Sequence, residues 1–548
     1  MEGNGRPLIE LTVGFKTRLQ RAFENASVAH NGSCILSRVL RRFPPIGVLA
    51  TLLVLAALWL PLLDLHVRAI EAWLTRPADF ADVWTRFAPR LWARSLLLAL
   101  VTCAFAAILG VPCGWLLARG PRWVRTPARV LAAIPLGLPP VLAAAPLFSL
   151  AGNSRDPLWP CALVLATSFF PVVAFVVSAT LDALPVEEEE AACAFASPFR
   201  AWTGVLAKRV APPILGALCV VAALTLWEMG APTLLSYSTL SSEVYRQLDT
   251  SSGDASLPGL RASLAGLPLP LVGMLMLWPL AHLKPVARTE NGAAPFSRLP
   301  LVSLLGAGVL LLSPLGLLAR FAFALDGRAA FALAVEGNSD AIWNTVGLAT
   351  LASVAMVAGA ALLSLTWREW PRRLRSLVWS AAIVPGLFAP IVLAVALIEW
   401  FNPAAGSSFS QARAALYDST YGMALWGDCA RFLPLALAIL LPAVLALDEE
   451  SLWAARGLGA SPMRTWWNIA LPMMRPTLAG TLALLWALCA GELTVSVLVH
   501  GPGSDTLPIP IFNLLHAGIA ADVAALCLVL AGLCGGAMAL ASWFLRRR

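Results

Sequence analysis

The feature that most restricts this chain is its succession of long apolar runs. About 20 mostly apolar residues are needed to cross a hydrocarbon core of roughly 30 Å. Twelve segments meet that length, at about 46–66, 92–118, 127–151, 157–182, 213–236, 260–282, 298–321, 341–366, 376–400, 421–446, 477–500 and 519–545. Backbone amides in lipid are satisfied only inside a helix or a closed barrel, and these runs are far longer than barrel strands. The expected fold is therefore an all-α polytopic membrane protein of about twelve transmembrane helices. Composition agrees, with 59% hydrophobic residues, 13% charged residues and a mean hydropathy of +0.76.

The chain is also duplicated. At an offset of 264, Ser197, Pro198, Arg200 and Trp202 fall on Ser461, Pro462, Arg464 and Trp466, and Pro212, Gly216 and Glu228 fall on Pro476, Gly480 and Glu492. Matches of Ala or Leu would mean little here, whereas these residues are scarce within apolar runs. At an offset of 250, Arg122, Arg125, Pro135 and Pro140 meet Arg372, Arg375, Pro385 and Pro390. Each half thus has six spans, both halves start on the same side, and the repeats are parallel rather than inverted. The expected organisation is a tail at 1–43, a first repeat at 44–283 with a polar loop at 183–212, a linker at 284–298, and a second repeat at 299–548 with its loop at 447–476.

Most of the 39 Lys and Arg fall in segments that share one side with the N-terminus, among them the clusters at 38–42, 119–129, 368–375 and 546–548. The positive-inside rule then places both termini in the cytoplasm. The net charge of +8 reflects this bias and is poor evidence for nucleic-acid binding. Residues 1–43 read as a cytoplasmic tail and 46–66 as an uncleaved first span. The ten cysteines are scattered, mostly within spans and without a CxxC, as small apolar filler would be.

The two polar loops follow the fourth span of each half. In the second, Asp448–Glu450 opens a short helix where the dipole favours negative charge. Gly457 and Gly459 end that helix, and Ser461 followed by Pro462 supplies an N-cap and a first-turn residue for another. The new helix carries Met463, Trp466, Trp467 and Ile469 interleaved with Arg464 and Asn468. It should lie at the cytoplasmic face and offer aromatic and Arg side chains, which are favoured as interface anchors. Two copies of one such loop suggest two matched sockets for something outside the bilayer.

Ala454-Ala455, Gly459 and Ile469-Ala-Leu-Pro472 match the spacing of the EAA loop, Glu-Ala-Ala-x3-Gly-x9-Ile-x-Leu-Pro. With Leu-Gly-Ala-Ser-Pro-x-Arg and Leu-Pro-x-x-Arg-Pro around it, the chain resembles the permeases of binding-protein-dependent ABC importers over about residues 90–545. The fused two-permease layout is most similar to the iron(III)-type permeases, with the thiamine-type next. The resemblance implies that the helices starting at Pro198 and Pro462 are coupling helices docked on a cytoplasmic ABC ATPase dimer. The implied coupling residues are Glu189, Glu190, Ala191, Ser197, Pro198, Phe199, Arg200 and Trp202 in the first loop, and Ala454, Ala455, Gly459, Ala460, Ser461, Pro462, Met463, Arg464 and Trp466 in the second. An extracytoplasmic solute-binding protein, ATP and Mg held by the ATPase, and a bacterial plasma (inner) membrane location are implied as well. Both loops depart from the pattern. Trp453 stands at the Glu position of the second, and the first has Phe195 for Gly and Ala207-Lys208 for Leu-Pro.

A phosphate-cradling GxxxxGK[ST] loop needs a Gly-Lys pair, and Lys16, Lys208 and Lys284 follow Phe, Ala and Leu. The five histidines lack metal-ligand spacing and no nucleophile motif is present, so neither catalysis nor a cofactor is expected in this chain. Glu228 and Glu492, deep in the fifth spans, are expected either to line a substrate pathway and meet a cationic solute or water, or to hold neighbouring helices by hydrogen bonds. Pro140 and Pro390 either reflect ordinary tolerance of proline or shape a pathway at the pseudo-twofold axis. Glu399 is expected at the outer end of its span. The repeated outer pair Thr239–Tyr245 and Thr506–Phe512 is a candidate contact for a binding protein. The leading function is the permease of an ATP-driven importer of a small solute such as iron(III) or thiamine. The alternative is an ion-gradient-coupled secondary transporter of two parallel halves, with the paired Glu as proton carriers.

Overall fold

The structure is a computed structural model, and it describes residues 45–81, 83, 88–144, 157–182, 184, 191, 194, 200, 204, 207–250, 256–266, 268, 300–310, 312, 316–367, 372–401, 411, 415, 421–517 and 520–546. The expected tail at 1–43 and linker at 284–298 lie outside them. The described residues form helices and no strand. The first half contains α1 (Pro45–Thr75), α2 (Ala88–Arg119), α3 (Arg122–Gly137), α4 (Leu158–Asp182), α5 (Ala207–Trp227), α6 (Gly230–Leu234), α7 (Leu240–Thr250) and α8 (Ser256–Gly266). The second contains α9 (Pro300–Leu310), α10 (Gly316–Phe323), α11 (Arg328–Gly337), α12 (Ser339–Trp367), α13 (Arg372–Ile383), α14 (Pro390–Phe401) and α15 (Gly422–Leu445). It continues with α16 (Glu449–Gly457), α17 (Pro462–Thr465), α18 (Leu471–Ala490), α19 (Ser496–Val499), α20 (Pro508–Ala517) and α21 (Ala520–Arg546).

Among the described residues, eight helices are long and apolar enough to cross a membrane, or nine when Val378–Leu387 and Pro390–Phe401, bent by 98°, count as one broken span. This is a multi-pass membrane protein, and the shortfall from twelve has specific origins. The segments expected at 260–282 and 298–321 are described only as α8, α9 and α10 with gaps. Both third spans are broken rather than merely kinked. Leu138 (φ −98°, ψ 137°) and Phe388 (φ −69°, ψ 150°) are extended at positions 250 apart; Pro139 directly after Leu138 disfavours the helical region there, whereas Phe388 is followed by Ala389 and then Pro390. Pro390 then starts α14 at a position where proline's missing N–H costs nothing. Both fifth spans also stop early, at Trp227 and Ala490, one to two residues before Glu228 and Glu492.

The halves exchange their outer elements. On α1, the Trp59 indole donates to the Ala381 carbonyl at 2.7 Å, and Trp426 on α15 donates back to the Ala57 carbonyl at 2.7 Å. Reciprocally, α9 of the second half lies on α2, where a Cβ on Gly306 would come within 2.4 Å of the Pro112 carbonyl oxygen. The sixth-span segments cross over too. Gly259 of α8 is pressed against Val395 of α14, and Gly137 of α3 faces Met538 and Cys534 of α21. Small residues allow such close approach between helices in lipid, as Gly110 and Gly114 of α2 do against α4. Third spans, fifth-span ends and α6/α19 thus meet in the middle of the molecule.

Candidate functional site

The second polar loop is a chain of capped short helices. Asp448 caps α16 by accepting from the Glu450 and Ser451 amides at 3.2 and 3.1 Å and from the Ser451 hydroxyl at 2.5 Å. These donors hold its carboxyl below the usual carboxylate range, the Ser451 hydroxyl first among them. At the other end the Leu458 amide reaches the Ala454 carbonyl and the Ala460 amide the Ala455 carbonyl, both at 3.0 Å. The chain turns through Gly459 at φ +84°, a left-handed conformation that explains why Gly stands at this position of the motif. Ser461 caps α17 through the Arg464 amide at 3.3 Å.

The sequence predicts a separate surface helix from Pro462. The structure instead runs α17 through a π-turn, Trp466–Ala470, directly into α18, so that the helix is the leading end of the fifth span. Burial changes as well. Trp466 is only 8% exposed and packs under the loop, whereas Leu458 is 90% and Trp467 56% exposed, beside exposed Arg464. Ala454, Gly459 and Ser461 are exposed, and Ala455 and Ala460 half-buried. Leu458 and Trp467 are outward-facing residues that were not among the predicted coupling set; the π-turn shifts the register, which an ideal helical wheel does not reveal. In the first loop Ala191 and Arg200 are exposed, while Glu189, Glu190, Ser197, Pro198, Phe199 and Trp202 lie outside the described residues.

The intramembrane carboxylates occupy the fifth-span breaks. Glu228 accepts from the Gly230 amide at 3.0 Å, and Glu492 from the Val495 and Ser496 amides at 3.0 and 2.9 Å. Each carboxylate thereby serves the amides freed where its span stops and α6 or α19 begins. The two breaks adjoin. A Cβ on Gly230 would meet Leu493 and Val141 at 3.2 Å, and one on Gly491 would meet the Gly137 carbonyl oxygen at 2.5 Å and Pro139 at 3.4 Å. Glu228, Glu492 and the Pro139–Pro140 break are therefore brought together, and Pro390 starts the matching helix α14. Glu399, expected at the outer end of its span, pairs with Arg68 of α1 at 3.6 Å, and Arg68 also meets Asp64 at 2.9 Å.

Sequence reasoning missed two members of this cluster, both on α15. Arg431 donates to the Glu492 carboxylate, and Asp428 is fully buried beside it. Their signal was available as an acid and a base three residues apart inside an apolar run, but neither has a counterpart at the 264 offset, where Val164 and Thr167 stand.

The outer residues of the repeat also resolve into a pattern. Ser95 of α2 accepts from the Leu240 amide at 3.0 Å, and Thr345 of α12 from the Leu507 amide at 2.7 Å. Arg94 and Asn344 donate to the Ser238 and Asp505 carbonyls at 3.1 Å. Thr239, Leu240, Leu507 and Phe512 are buried, so the repeated pair ties each half together rather than offering a free docking surface.

Residues 110–280 match the family of binding-protein-dependent transport system inner membrane components. An Fe(3+)-transport system permease protein of Haemophilus influenzae is 24% identical over 86% of this chain and 93% of its own length. A protein of Salmonella paratyphi A named as a 2-aminoethylphosphonate transport system permease protein is 43% identical over 14% of this chain, and the putrescine transport system permease protein of Escherichia coli K12 is 31% identical over 19%. The chain spans 29% and 36% of the lengths of those two relatives. The duplicated, all-helical membrane architecture and the EAA-type loop thus accompany a similarity, over residues 110–280, to the inner membrane components of binding-protein-dependent transport systems.

Proposed function

We propose that the chain is a transmembrane permease subunit of an ATP-binding-cassette importer, two permeases in one polypeptide, and that it moves a small solute delivered by an extracytoplasmic binding protein. A separate cytoplasmic ATPase dimer supplies the energy, both termini lie in the cytoplasm, and the membrane is a bacterial inner membrane. The observation that carries this reading is the continuity from the segment bearing exposed Arg464 and Trp467 through the π-turn into the fifth span, which ends at Ala490, two residues before Glu492. A push on the loop is thereby transmitted along one helix to the broken centre without a flexible joint. Iron(III) is the favoured solute, supported by the relative that matches over nearly its whole length. The shorter matches carry names for a phosphonate and for polyamines, and thiamine is the alternative within the same reading.

The test is co-purification from the native membrane in mild detergent. The chain should bring down an ATPase, and Arg464→Ala combined with Trp467→Ala should release it while leaving the permease folded. If no ATPase is captured and uptake survives the double replacement, the importer reading fails. Uptake that collapses with a proton ionophore at constant ATP would instead favour the gradient-coupled alternative.

A further inference from the structure

We propose that Asp428, Glu492 and Glu228 form an intramembrane binding station for a cationic solute, and that in this state the guanidinium of Arg431 occupies it as a tethered stand-in for the cargo. The proposal deepens the permease reading and rests on it. Three carboxyl groups converge here on one guanidinium. Arg431 pairs with Glu492, and Glu228, from the other half, lies within electrostatic reach of both. Asp428 sits one turn before Arg431, on the same face of α15.

An acidic cluster alone would be no site. The independent observation is Asp428 itself, 0% exposed, with no nitrogen or oxygen donor on either carboxyl oxygen and only the Cys489 thiol, a weak donor, alongside. A buried carboxyl served by no more than a thiol is costly in water-excluded surroundings and still more so in a bilayer. It is an under-used acceptor beside an occupied one. Arg431 neutralises Glu492 and leaves Asp428 and Glu228 as further acceptors, so the cluster suits a multivalent cation or a diamine better than an anion or a neutral solute.

Placement matches a transport station. Glu228 and Glu492 lie at the two fifth-span breaks, one from each half, so relative movement of the halves changes the distances among the acceptors. The backbone is closely packed around them. A Cβ on Gly427, the neighbour of Asp428, would meet Val495 at 2.5 Å, and one on Gly230 would lie 3.3 Å from the Glu228 carboxylate. The station is also single. In the first half Val164 and Thr167 take the places of Asp428 and Arg431, and the Thr167 hydroxyl turns back onto the Val164 carbonyl at 2.8 Å. A duplicated scaffold that keeps one charged pair on one side has specialised that side. Arrival of a cation would displace Arg431 from Glu492, and departure would let it return, so that the emptied site never exposes three unpaired carboxylates to the bilayer interior.

The experiment uses the full chain in lipid nanodiscs, with putrescine and terbium(III) as the divalent and trivalent probes and glycerol as the neutral control. Arg431→Gln removes the stand-in and should tighten retention of at least one cationic probe about tenfold or more over the unsubstituted chain; adding Asp428→Asn should abolish that gain. If the R431Q chain retains neither cation, or if R431Q with D428N retains them as well as R431Q alone, the proposal is overturned. Where R431Q fails to assemble, R431Q with E492Q, which removes both partners of the ion pair, carries the test: cation retention that D428N abolishes supports the station, and absence of retention overturns it. Capture of the ATPase is scored on the same preparations. Its loss with cation retention intact sinks the importer reading and leaves the station standing.

Discussion

Tyr245 and Phe512, 267 residues apart and equivalent in the two repeats, stand edge to face with ring centroids 6.2 Å apart. Such aromatic pairs contribute about 0.5–1.5 kcal/mol beyond the area they bury, and this one joins the two halves on the expected extracytoplasmic side. Photocrosslinking tests the contact directly. A benzophenone amino acid at position 245 should crosslink within the chain to the peptide containing 508–517. Binding of the solute-loaded partner should lower the yield if the outer side opens between the halves; no crosslink to that peptide would contradict the contact.

Burial separates Trp466 from its neighbour Trp467. Trp467→Ala and Arg464→Ala remove exposed groups, so permease stability should stay within about 0.5 kcal/mol while ATPase capture falls. Trp466→Ala empties a packed position and should cost about 3–5 kcal/mol. Thermal unfolding of each purified variant, measured beside ATPase capture, distinguishes the two effects. Equal stability of W466A and W467A would contradict the burial pattern.

The pattern of success in reading the sequence has physical causes. The helix start at Asp448, the cap at Ser461 and the turn at Gly459 were legible because each depends on local residue chemistry. The span breaks were legible only as prolines. That Leu138 and Phe388 turn fully extended depends on what packs around them. Arg431 escaped because a repeat highlights what is kept in both copies, and this residue is present in one. The π-turn at Trp466–Ala470 was invisible because its five residues contain no breaker, and the reversal of Trp466 and Trp467 follows from it.

Gly459 offers a clean backbone test. A Cβ there would meet nothing within 4 Å, yet φ is +84°, so Gly459→Ala carries only the left-handed penalty of roughly 1–2 kcal/mol. Gly457→Ala is equally uncrowded, lies in helical backbone at the end of α16, and should be neutral or slightly stabilising. The expected readout is a loss of ATPase capture in G459A with G457A unaffected. Identical behaviour of the two would show that the turn is not held as described.

Acid should loosen the same loop. The Asp448 carboxyl is held below its ordinary range by Ser451, so its capping contribution is complete above the unfolded carboxylate range near pH 4 and fades as pH drops through the lowered folded value. Pepsin cleavage of nanodisc-embedded protein within 449–457 should therefore begin only in strong acid, and Asp448→Asn should flatten that acid onset. An unchanged pH profile in D448N would assign the loop's acid response elsewhere.

The ion pair of Arg431 and Glu492 joins α15 to the end of α18, the two helices that lead into and out of the exposed loop. Removing one partner of a buried pair strands the other charge and typically costs about 3–5 kcal/mol, whereas replacing both with apolar groups is often nearly neutral. Glu492→Gln and Arg431→Met should each destabilise the chain strongly, and Glu492→Met with Arg431→Met should recover most of the loss. Glu228 has no salt-bridge partner within 4 Å among the described residues and accepts from a backbone amide, which Glu228→Gln can still satisfy through its carbonyl, so that variant should cost less than E492Q. A thermodynamic cycle on the 431–492 pair yields the coupling energy. Additive losses in the double variant would mean that the two side chains do not meet in the membrane, and the clamp on the helices flanking the loop would then have to be sought elsewhere.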